Sequence, residues 1–324
     1  MQKGKLIHLI PYQLENKLFE THRIPEGIEM IQAPAMWQKG YNGENKVIAV
    51  IDTGCDSNHP DLEGRVLEGR NFTDDDQGDS ENFTDYNGHG THVSGTIAAI
   101  NSQSGVVGVA PEAKLIVLKA LAGETGSGEY EWIINAINYA VSKNVDIISM
   151  SLGGPLDVPE LHQAIKAAIE QNILVVCAAG NEGDGNHHTD EFSYPAAYTE
   201  VIAVGSINLQ RESSYFTNSN NEIDLVAPGE KIISTVPGGS YAVFSGTSMS
   251  APHVSGALAL IISLEEEEFS RPLSEPEIYA QLIKRTIPLG YPKALEGNGL
   301  LYLTVPDLLA EYLKQSNIAK SMGV

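Results

Sequence analysis

The sequence predicts an α/β fold, in which helices flank a doubly wound parallel sheet within a single domain. Three observations support this: continuous apolar runs, amphipathic stretches between them, and a regular alternation of the two. The apolar runs predict strands at 47–51, 115–118, 146–150, 173–178 and 201–204. Runs that do not alternate with polar residues are typical of parallel strands that helices cover on both faces.

The helices are predicted from apolar residues spaced three and four apart. They fall at 92–100, 132–143 and 159–171, between the strands, which is the order of a doubly wound sheet. Beyond residue 204 the chain is rich in turns. A stretch at 252–264 is apolar nearly all round and predicts a buried helix, followed by helices at 274–286 and 306–314. The glutamates at 265–268 are interpreted as a solvated surface.

Length and composition fit a globular protein with a sizeable core. The chain has 324 residues, of which 42% are apolar. No apolar run reaches the ~18 residues that a membrane-spanning helix needs. The first ten residues are too short an apolar stretch for a secretory signal, and His8 interrupts them.

The formal charge disfavours two classes of partner. Lys and Arg number 20 and Asp and Glu number 42, which gives −22. A negative field repels phosphate backbones and anionic lipid surfaces, so neither nucleic acid nor membrane is expected as a partner. The two cysteines, Cys55 and Cys177, are too few for a disulfide framework. With no export signal, we expect two reduced thiols in the cytoplasm.

Polar residues gather where the predicted strands end and where helices begin. Asp52 follows the first strand, Ser151 the third and Asn181 the fourth, while His89 and Ser248 lie in glycine-rich segments that open helices. Ligands of open parallel sheets bind beyond the carboxyl ends of the strands. We therefore expect these five side chains to share one rim.

Three of these residue types together support nucleophilic catalysis. A serine hydroxyl such as that of Ser248 becomes a good nucleophile when a neutral imidazole, here His89, takes its proton. A carboxylate, here Asp52, fixes the imidazole and stabilises its cation. The Asn181 amide and the N–H groups at a helix start suit a developing oxyanion. Taken alone, an Asp after a strand such as Asp52 is usually a turn or cap residue. A metal pair of His89 with His92 lacks a third ligand at zinc spacing.

The segments around Asp52, His89, Asn181 and Ser248 resemble the signatures of the subtilisin family of serine proteases. The chain order Asp, His, Ser is the order found in subtilisin. The similarity runs from about residue 24 to about residue 303, and no Gly-x-Ser-x-Gly elbow surrounds Ser248. The resemblance implies a catalytic domain at 21–305 and a serine endopeptidase of broad specificity that forms an acyl-enzyme.

The resemblance also implies where a substrate binds. Two strand edges would grip an extended peptide by main-chain hydrogen bonds, and an open apolar slot would take the side chain before the cleaved bond. Glu182 at that slot could also admit a basic residue. The residues so implied are Gly126, Ser127, Gly128, Ser151, Leu152, Gly153, Gly154, Ala178, Gly180 and Glu182.

Two cation sites are implied in the same way, with hard oxygen ligands that suit structural calcium or, at the weaker site, sodium. The first comprises the Asp61 carboxylate and a loop that supplies Ile100, Ser102, Ser104 and Val106. Ser102 stands where the family usually has an asparagine. The second comprises the carbonyls of Ala196, Tyr198 and Val201 with Asp224 nearby. The alternative is that both aspartates merely cap turns.

Within the family, the closest resemblance is to the intracellular subtilisins of bacilli, which implies a cytoplasmic homodimer. Residues 306–324 would form a C-terminal extension that contacts the second subunit. Residues 1–20 would form a short extension that lies across the cleft as an inhibitory strand. Its anchoring motif is Leu9, Ile10, Pro11 and Tyr12. Pro11 lacks an N–H and has a fixed φ, so it should hold the scissile carbonyl away from Ser248. A disordered leader is the alternative.

Two other functions fit the same scaffold. One is a catalytically silent protein that binds peptides, although the presence of all three triad residues disfavours it. The other is a serine esterase. The expected partners are therefore protein and peptide substrates, and an assay on casein beside one on a short-chain ester separates the alternatives.

Overall fold

The computed structural model describes residues 6–19, 22–101 and 105–321, with the side chains at 22, 23 and 316–321 excepted. The strands are β1 Leu6–Leu9, β2 Gln13–Leu18, β3 His22–Arg23, β4 Val47–Asp52, β5 Val66–Asn71, β6 Gly105–Val106, β7 Lys114–Lys119, β8 Ser127–Glu129, β9 Ile147–Met150, β10 Leu152–Gly153, β11 Leu174–Ala178, β12 Ile202–Ile207, β13 Ile223–Pro228, β14 Ile232–Val236, β15 Ser240–Ser245, β16 Thr286–Ile287 and β17 Leu300–Leu301. The α-helices are α1 Glu26–Met30, α2 Ala33–Gln38, α3 His89–Ala98, α4 Tyr130–Ser142, α5 Pro159–Glu170, α6 Thr247–Phe269, α7 Glu275–Ile283, α8 Lys293–Glu296 and α9 Val305–Ser321.

One large sheet organises the molecule. Its strands lie in the order β16-β17-β13-β12-β11-β9-β4-β7-β5, and every neighbouring pair is parallel except β16 with β17. The five predicted strands are its central members, with ends shifted by one to three residues. The predicted α/β fold with a doubly wound parallel sheet is therefore confirmed.

The sheet has a hydrophobic core on each face. Along β4, Ile48 and Val50 point to one core and Ala49 and Ile51 to the other, as the two-residue period of a strand requires. Helices α3 and α6 cover the first face, and α4 and α5 cover the second. The apolar runs are continuous because both faces of each strand are buried.

Helices α3 and α6 begin three or more residues earlier than predicted. Helix α3 starts at His89, because the Asp85 carboxylate accepts the Gly88 and Thr91 N–H groups and so caps the first turn. Helix α6 starts at Thr247 rather than at Pro252, which lies inside the helix. Pro252 has no N–H for the Ser248 carbonyl four residues earlier, and the Ser151 hydroxyl donates to that carbonyl at 2.9 Å instead.

Helix α6 is long and apolar enough to span a membrane, but 94% of its most apolar window is buried in the fold, as in the core helix of a soluble protein. Among the described residues, no second helix meets the same criteria of length and composition. The interpretation of 265–268 as solvated was wrong for Glu265. Glu265 is buried, and the Arg285 guanidinium, supplied by the end of α7, donates to it at 2.7 Å.

The N-terminal strands belong to small sheets outside the main one. Strand β1 lies between β8 and β10, β2 adds to the hairpin of β14 and β15, and β3 pairs with β6. At the other end of the chain, α9 leaves Leu308, Leu309 and Tyr312 more than half exposed.

Candidate active site

Asp52 and His89 are hydrogen-bonded at the rim of the main sheet. Asp52 is the last residue of β4 and His89 the first of α3, so the sheet and the helix bring them together. His89 Nδ1 donates to Asp52 Oδ1 at 2.8 Å, and neither side chain is exposed. A buried carboxylate in this position fixes the imidazole with Nε2 as the nitrogen that can accept a proton.

A second pair of buried residues holds these two elements in register. The Thr53 N–H donates to Asp52 Oδ1, and the Thr53 hydroxyl donates to Asp85 and accepts from the Gly90 N–H of α3. The same Asp85 carboxylate accepts the Gly88 N–H at the start of α3. Sequence reasoning missed Thr53 and Asp85, although their positions beside the two motifs were a usable signal.

Ser248 lies in the first turn of α6, close to the end of β9. Its hydroxyl donates to the Ser151 carbonyl at 3.3 Å. Among the described residues, buried His89 Nε2 has no hydrogen-bond partner. The three predicted triad residues therefore share the rim, but the serine–histidine bond that would activate the nucleophile is absent from this arrangement.

The Tyr12 side chain lies against His89. The two ring centroids are 4.9 Å apart, and the Tyr12 ring also contacts Phe244 at 4.7 Å. The Tyr12 hydroxyl donates to Asn87 Oδ1 at 3.0 Å, and burial, with Asp52 nearby, raises the pKa of Tyr12 to about 12. Tyr12 is therefore a neutral ring that covers the imidazole.

The Asn181 amide points into the cleft because Thr247 orients it. Asn181 Oδ1 accepts the Thr247 N–H at 2.9 Å and the Thr247 hydroxyl at 2.8 Å. This leaves Nδ2 facing outward, where it donates to the Pro11 carbonyl at 2.5 Å. The Asn181 Nδ2 group beside Ser248, which was predicted to stabilise an oxyanion, is thus occupied by a carbonyl of the chain itself. Thr247 is a further residue that sequence reasoning missed.

The N-terminal strand β1 occupies the cleft between two strand edges. It pairs antiparallel with β8, where Ile7 is opposite Gly128, and with β10, where Leu9 is opposite Leu152. The Leu9 N–H also donates to the Gly126 carbonyl at 2.9 Å. Gly126 has a φ of +62°, and a Cβ there would collide with the Leu9 side chain.

The sequence profile of the subtilase family matches residues 43–305.

The chain belongs to the subtilase family.

This subtilase is similar to proteins named as intracellular serine proteases and to proteins named subtilisin. It is 62% identical over 312 residues to the major intracellular serine protease of Bacillus subtilis (strain 168), covering 96% of this chain and 98% of that protein. It is 61% identical over 313 residues to the intracellular serine protease of Paenibacillus polymyxa, covering 97% and 95%. Subtilisin E of Bacillus subtilis (strain 168) is 48% identical over 240 residues, covering 74% of this chain and 61% of that protein. The chain is therefore a serine protease, and the predicted family and enzyme class are confirmed.

In this subtilase, three side chains of the N-terminal segment fill apolar sites. Ile7 and Leu9 are buried in the core that contains Tyr130 and Leu152. Ile10 is buried in the other core with Ala178, beside Gly153, where Ser193 also approaches. Ile7 and Ser193 were not predicted.

The other residues of the predicted substrate site lie around this segment. Ser127 Oγ is 3.0 Å from His8 Nδ1. Gly154, which follows β10, pairs with Tyr194 in an isolated antiparallel β-bridge. The Gly180 N–H donates to the Thr247 hydroxyl, while Glu182 is exposed at the margin. The structure gives no contact between Glu182 and the described part of the N-terminal segment.

The structure describes part of the first predicted cation site. Asp61 is buried, its carbonyl accepts the Ile100 N–H at 2.7 Å, and its Oδ2 accepts the Val106 N–H at 2.9 Å. The carboxylate thus faces the loop that was predicted to complete the site, and that chemistry fits a hard cation. Ser102 and Ser104 lie outside the described residues.

At the second predicted cation site, Asp224 lies beside the segment that carries Ala196, Tyr198 and Val201. Its Oδ2 accepts the Ala203 N–H at 2.8 Å, and its Oδ1 accepts the Tyr279 hydroxyl at 2.5 Å. Burial raises the pKa of Asp224 to about 6. A partly buried carboxylate fits a cation, which would offset the cost of its ionisation. Among the described residues, no cluster of three or more His, Cys, Asp or Glu side chains could hold a metal.

Neither thiol competes with Ser248 for the role of nucleophile. Cys55 and Cys177 are free and buried, and burial raises the pKa of both. His92 is also buried, which lowers its pKa to about 3, and its Nε2 bonds to backbone carbonyls. His92 is a neutral structural residue here.

Proposed function

We propose that this subtilase is a cytoplasmic endopeptidase of broad specificity, made as a precursor that its own residues 1–20 hold inactive. One observation carries the proposal. Strand β1 lies in the cleft like a bound peptide, with the Pro11 carbonyl on Asn181 and the Tyr12 ring on His89. The cytoplasmic location is supported by the two relatives that are named intracellular.

Catalysis would begin when this segment leaves. The Ser248 hydroxyl, no longer hindered, rotates from the Ser151 carbonyl toward His89 Nε2, which takes its proton as the oxygen attacks the substrate carbonyl. Asp52 stabilises the imidazolium, and Asn181 Nδ2 donates to the oxyanion. His89 then protonates the leaving amine, and an acyl-enzyme remains. Water attacks this ester with His89 as base, and Ser248 regains its proton.

The occupied sites indicate the substrate preference. Strands β8 and β10 bind the segment through the main chain, which is independent of side-chain identity. Ile10 fills the pocket beside Gly153 that would hold the side chain before the cleaved bond. Ile7 and Leu9 fill further apolar sites, so we propose broad specificity with a preference for apolar residues.

The proposed restraint depends on Pro11. If Ile10 occupies the first pocket, the bond to be cut is the one between Ile10 and Pro11, yet the carbonyl on Asn181 is that of Pro11. The Asn181 amide, which would stabilise the oxyanion, is then bound to the carbonyl one residue after the one to be attacked. Pro11 also has no N–H with which to continue the ladder. Removal of the extension would come from a second active molecule cutting between about Glu15 and His22.

Structural cations and dimerisation complete the proposal. We propose calcium at Asp61 with the loop that contains Ile100, Ser102, Ser104 and Val106, and calcium or sodium at Ala196, Tyr198, Val201 and Asp224. We further propose that residues 306–324 contact a second subunit in a homodimer. The exposed Leu308, Leu309 and Tyr312 of α9 support this, because a monomer rarely leaves such a row of large apolar residues in water.

The test compares full-length protein with a protein that begins near Thr21. The proposal predicts a long lag in the hydrolysis of casein by the full-length chain, no lag for the short one, and a shortened lag for Pro11→Ala. Ser248→Ala should remove nearly all turnover from either. The loss of about a millionfold is the value known for subtilisin itself. Equal initial rates for the intact and truncated proteins would refute the inhibitory role.

A further inference from the structure

We propose that the freed protease binds an extended stretch of substrate on the C-terminal side of the cleaved bond. This stretch would pair with strand β15 and reach an apolar docking site. This distal site consists of Ala99, Val106, Ile233 and Tyr241. The inference rests on the proposed function, because it requires that the N-terminal extension vacate the cleft. Its occupant is a segment of an unfolded protein substrate.

Strand β15 offers an edge that a peptide can extend. It lies between β14 and β2, so departure of β2 leaves its outer N–H and C=O groups unpaired. Five residue pairs form the ladder with β2, from Ser245 opposite Gln13 to Tyr241 opposite Leu18. An exposed edge of this kind binds extended chains by main-chain hydrogen bonds.

The side chains of β2 indicate where the enzyme would distinguish one substrate side chain from another. Those from Gln13 to Lys17 are exposed, and Glu15 accepts a hydrogen bond from the Ser245 hydroxyl, so the ladder gives no apolar selection there. Leu18 differs, because it packs against the distal site together with Val243. The only half-buried side chain of β2 is thus the one at the far end of the ladder.

The same chain segment crosses the active site without a break, which fixes the distance between the two sites. Ile10 lies in the pocket beside Gly153, and Leu18 is the eighth residue after it, since 18 − 10 = 8. The ladder is interrupted at Glu15, because Val243 pairs with Asn16 and Phe244 with Leu14. A substrate without this bulge would place its seventh residue at the distal site.

A ligand that spans both sites must be extended over about nine residues, from Ile10 to Leu18 in the extension. Folded loops rarely present so long a strand. The geometry therefore points to unfolded polypeptides with an apolar residue seven or eight positions after the cleaved bond as the preferred substrates.

The experiment uses the full-length chain, incubated until its rate on a short peptide is constant. Peptides share one sequence before the cleaved bond and carry nine Gly and Ser residues after it, with a single Leu moved through positions five to nine. The kcat/KM should peak at seven or eight, roughly five- to tenfold above the all-Gly/Ser peptide, the amount expected for half-burial of a leucine. Peptides with three residues after the bond should be poorer still.

A matched pair of variants locates the effect. Val243→Asp should abolish the leucine peak, whereas Leu67→Asp, at an exposed position on β5, should retain it. A flat profile in the unaltered protein, or a peak that survives Val243→Asp, overturns the docking site alone. Failure to cleave peptides of any length would instead refute the proposed endopeptidase function and the docking site with it.

Discussion

Replacing Tyr12 should release the active site of the unprocessed protein. Tyr12 is the residue of the extension that covers His89, and its ring contacts both His89 and Phe244. Its hydroxyl adds a hydrogen bond to Asn87. Tyr12→Ala removes all three interactions, Tyr12→Phe removes the hydrogen bond alone, and Phe19→Ala is the control.

The size of the rate increase expected for Tyr12→Ala follows from these contacts. Burial of about half the ring contributes about 1 kcal/mol, the two ring contacts about 1 kcal/mol together, and the hydrogen bond about 1 kcal/mol. Loss of about 3 kcal/mol lowers the ratio of closed to open molecules by roughly 100-fold. Because only open molecules turn over substrate, the initial rate should rise by up to that factor. Tyr12→Phe should raise it only about fivefold.

The assay is the initial rate on a short fluorogenic peptide within the first minutes, with mass spectrometry to show that the N-terminus is still intact. Phe19 is 85% exposed, so Phe19→Ala should behave as the unaltered chain does. If intact Tyr12→Ala starts at the rate of the unaltered chain, Tyr12 does not restrain the site and the contact with His89 has no inhibitory role.

Five further predictions concern single residues. Thr247→Val should lower kcat roughly 5- to 30-fold, and Thr247→Ser should restore it, because the hydroxyl orients Asn181; steady-state kinetics with an unchanged kcat would contradict this. Asn181→Ala should lower kcat roughly 10²–10³-fold, the value known for subtilisin itself. Chelation should lower the melting temperature by roughly 5–10 °C, and Asp61→Ala should reproduce most of the loss, so identical calorimetric curves with and without chelator would remove calcium from the account. The pKa of Asp224 is raised to about 6, so its ionisation costs stability as pH rises from about 4 to about 6; in chelator, Asp224→Asn should melt higher than the unaltered protein at pH 7.5 and lose that advantage below pH 4. Mild peroxide should inactivate the freed enzyme by oxidising Met249, and Met249→Ala should resist; equal inactivation of both would implicate another residue.

The main sheet and the rim could be predicted because their signals are local. Apolar runs such as 47–51 identify buried strands, and the resemblance placed Asp52, His89 and Ser248 at the rim. The starts of α3 and α6 were harder. Helix α3 is capped by the Asp85 carboxylate, which precedes the helix by a few residues and lies outside its apolar pattern. The first turn of α6 depends on the Ser151 hydroxyl, which is distant in sequence.

Part of the N-terminal extension's structure could not be predicted from its sequence. The motif around Pro11 predicted a strand across the cleft, but the pairing of β2 with β15 was not foreseen. Residues 13–18 are mostly polar and make a poor strand by pattern. They pair because the edge of β15 is available, which is a property of the folded domain and not of the segment. The roles of Tyr12 and Thr247 depend in the same way on three-dimensional neighbours.

The most direct test of the account is to label the purified full-length chain with a fluorophosphonate while following its N-terminus by mass spectrometry. Such reagents react with a serine hydroxyl that a neighbouring base activates. The account predicts one adduct, on Ser248, that accumulates in step with the loss of residues 1–20 and is absent from Ser248→Ala. Labelling of the intact chain as fast as the processed chain, or an adduct on another residue, would contradict it.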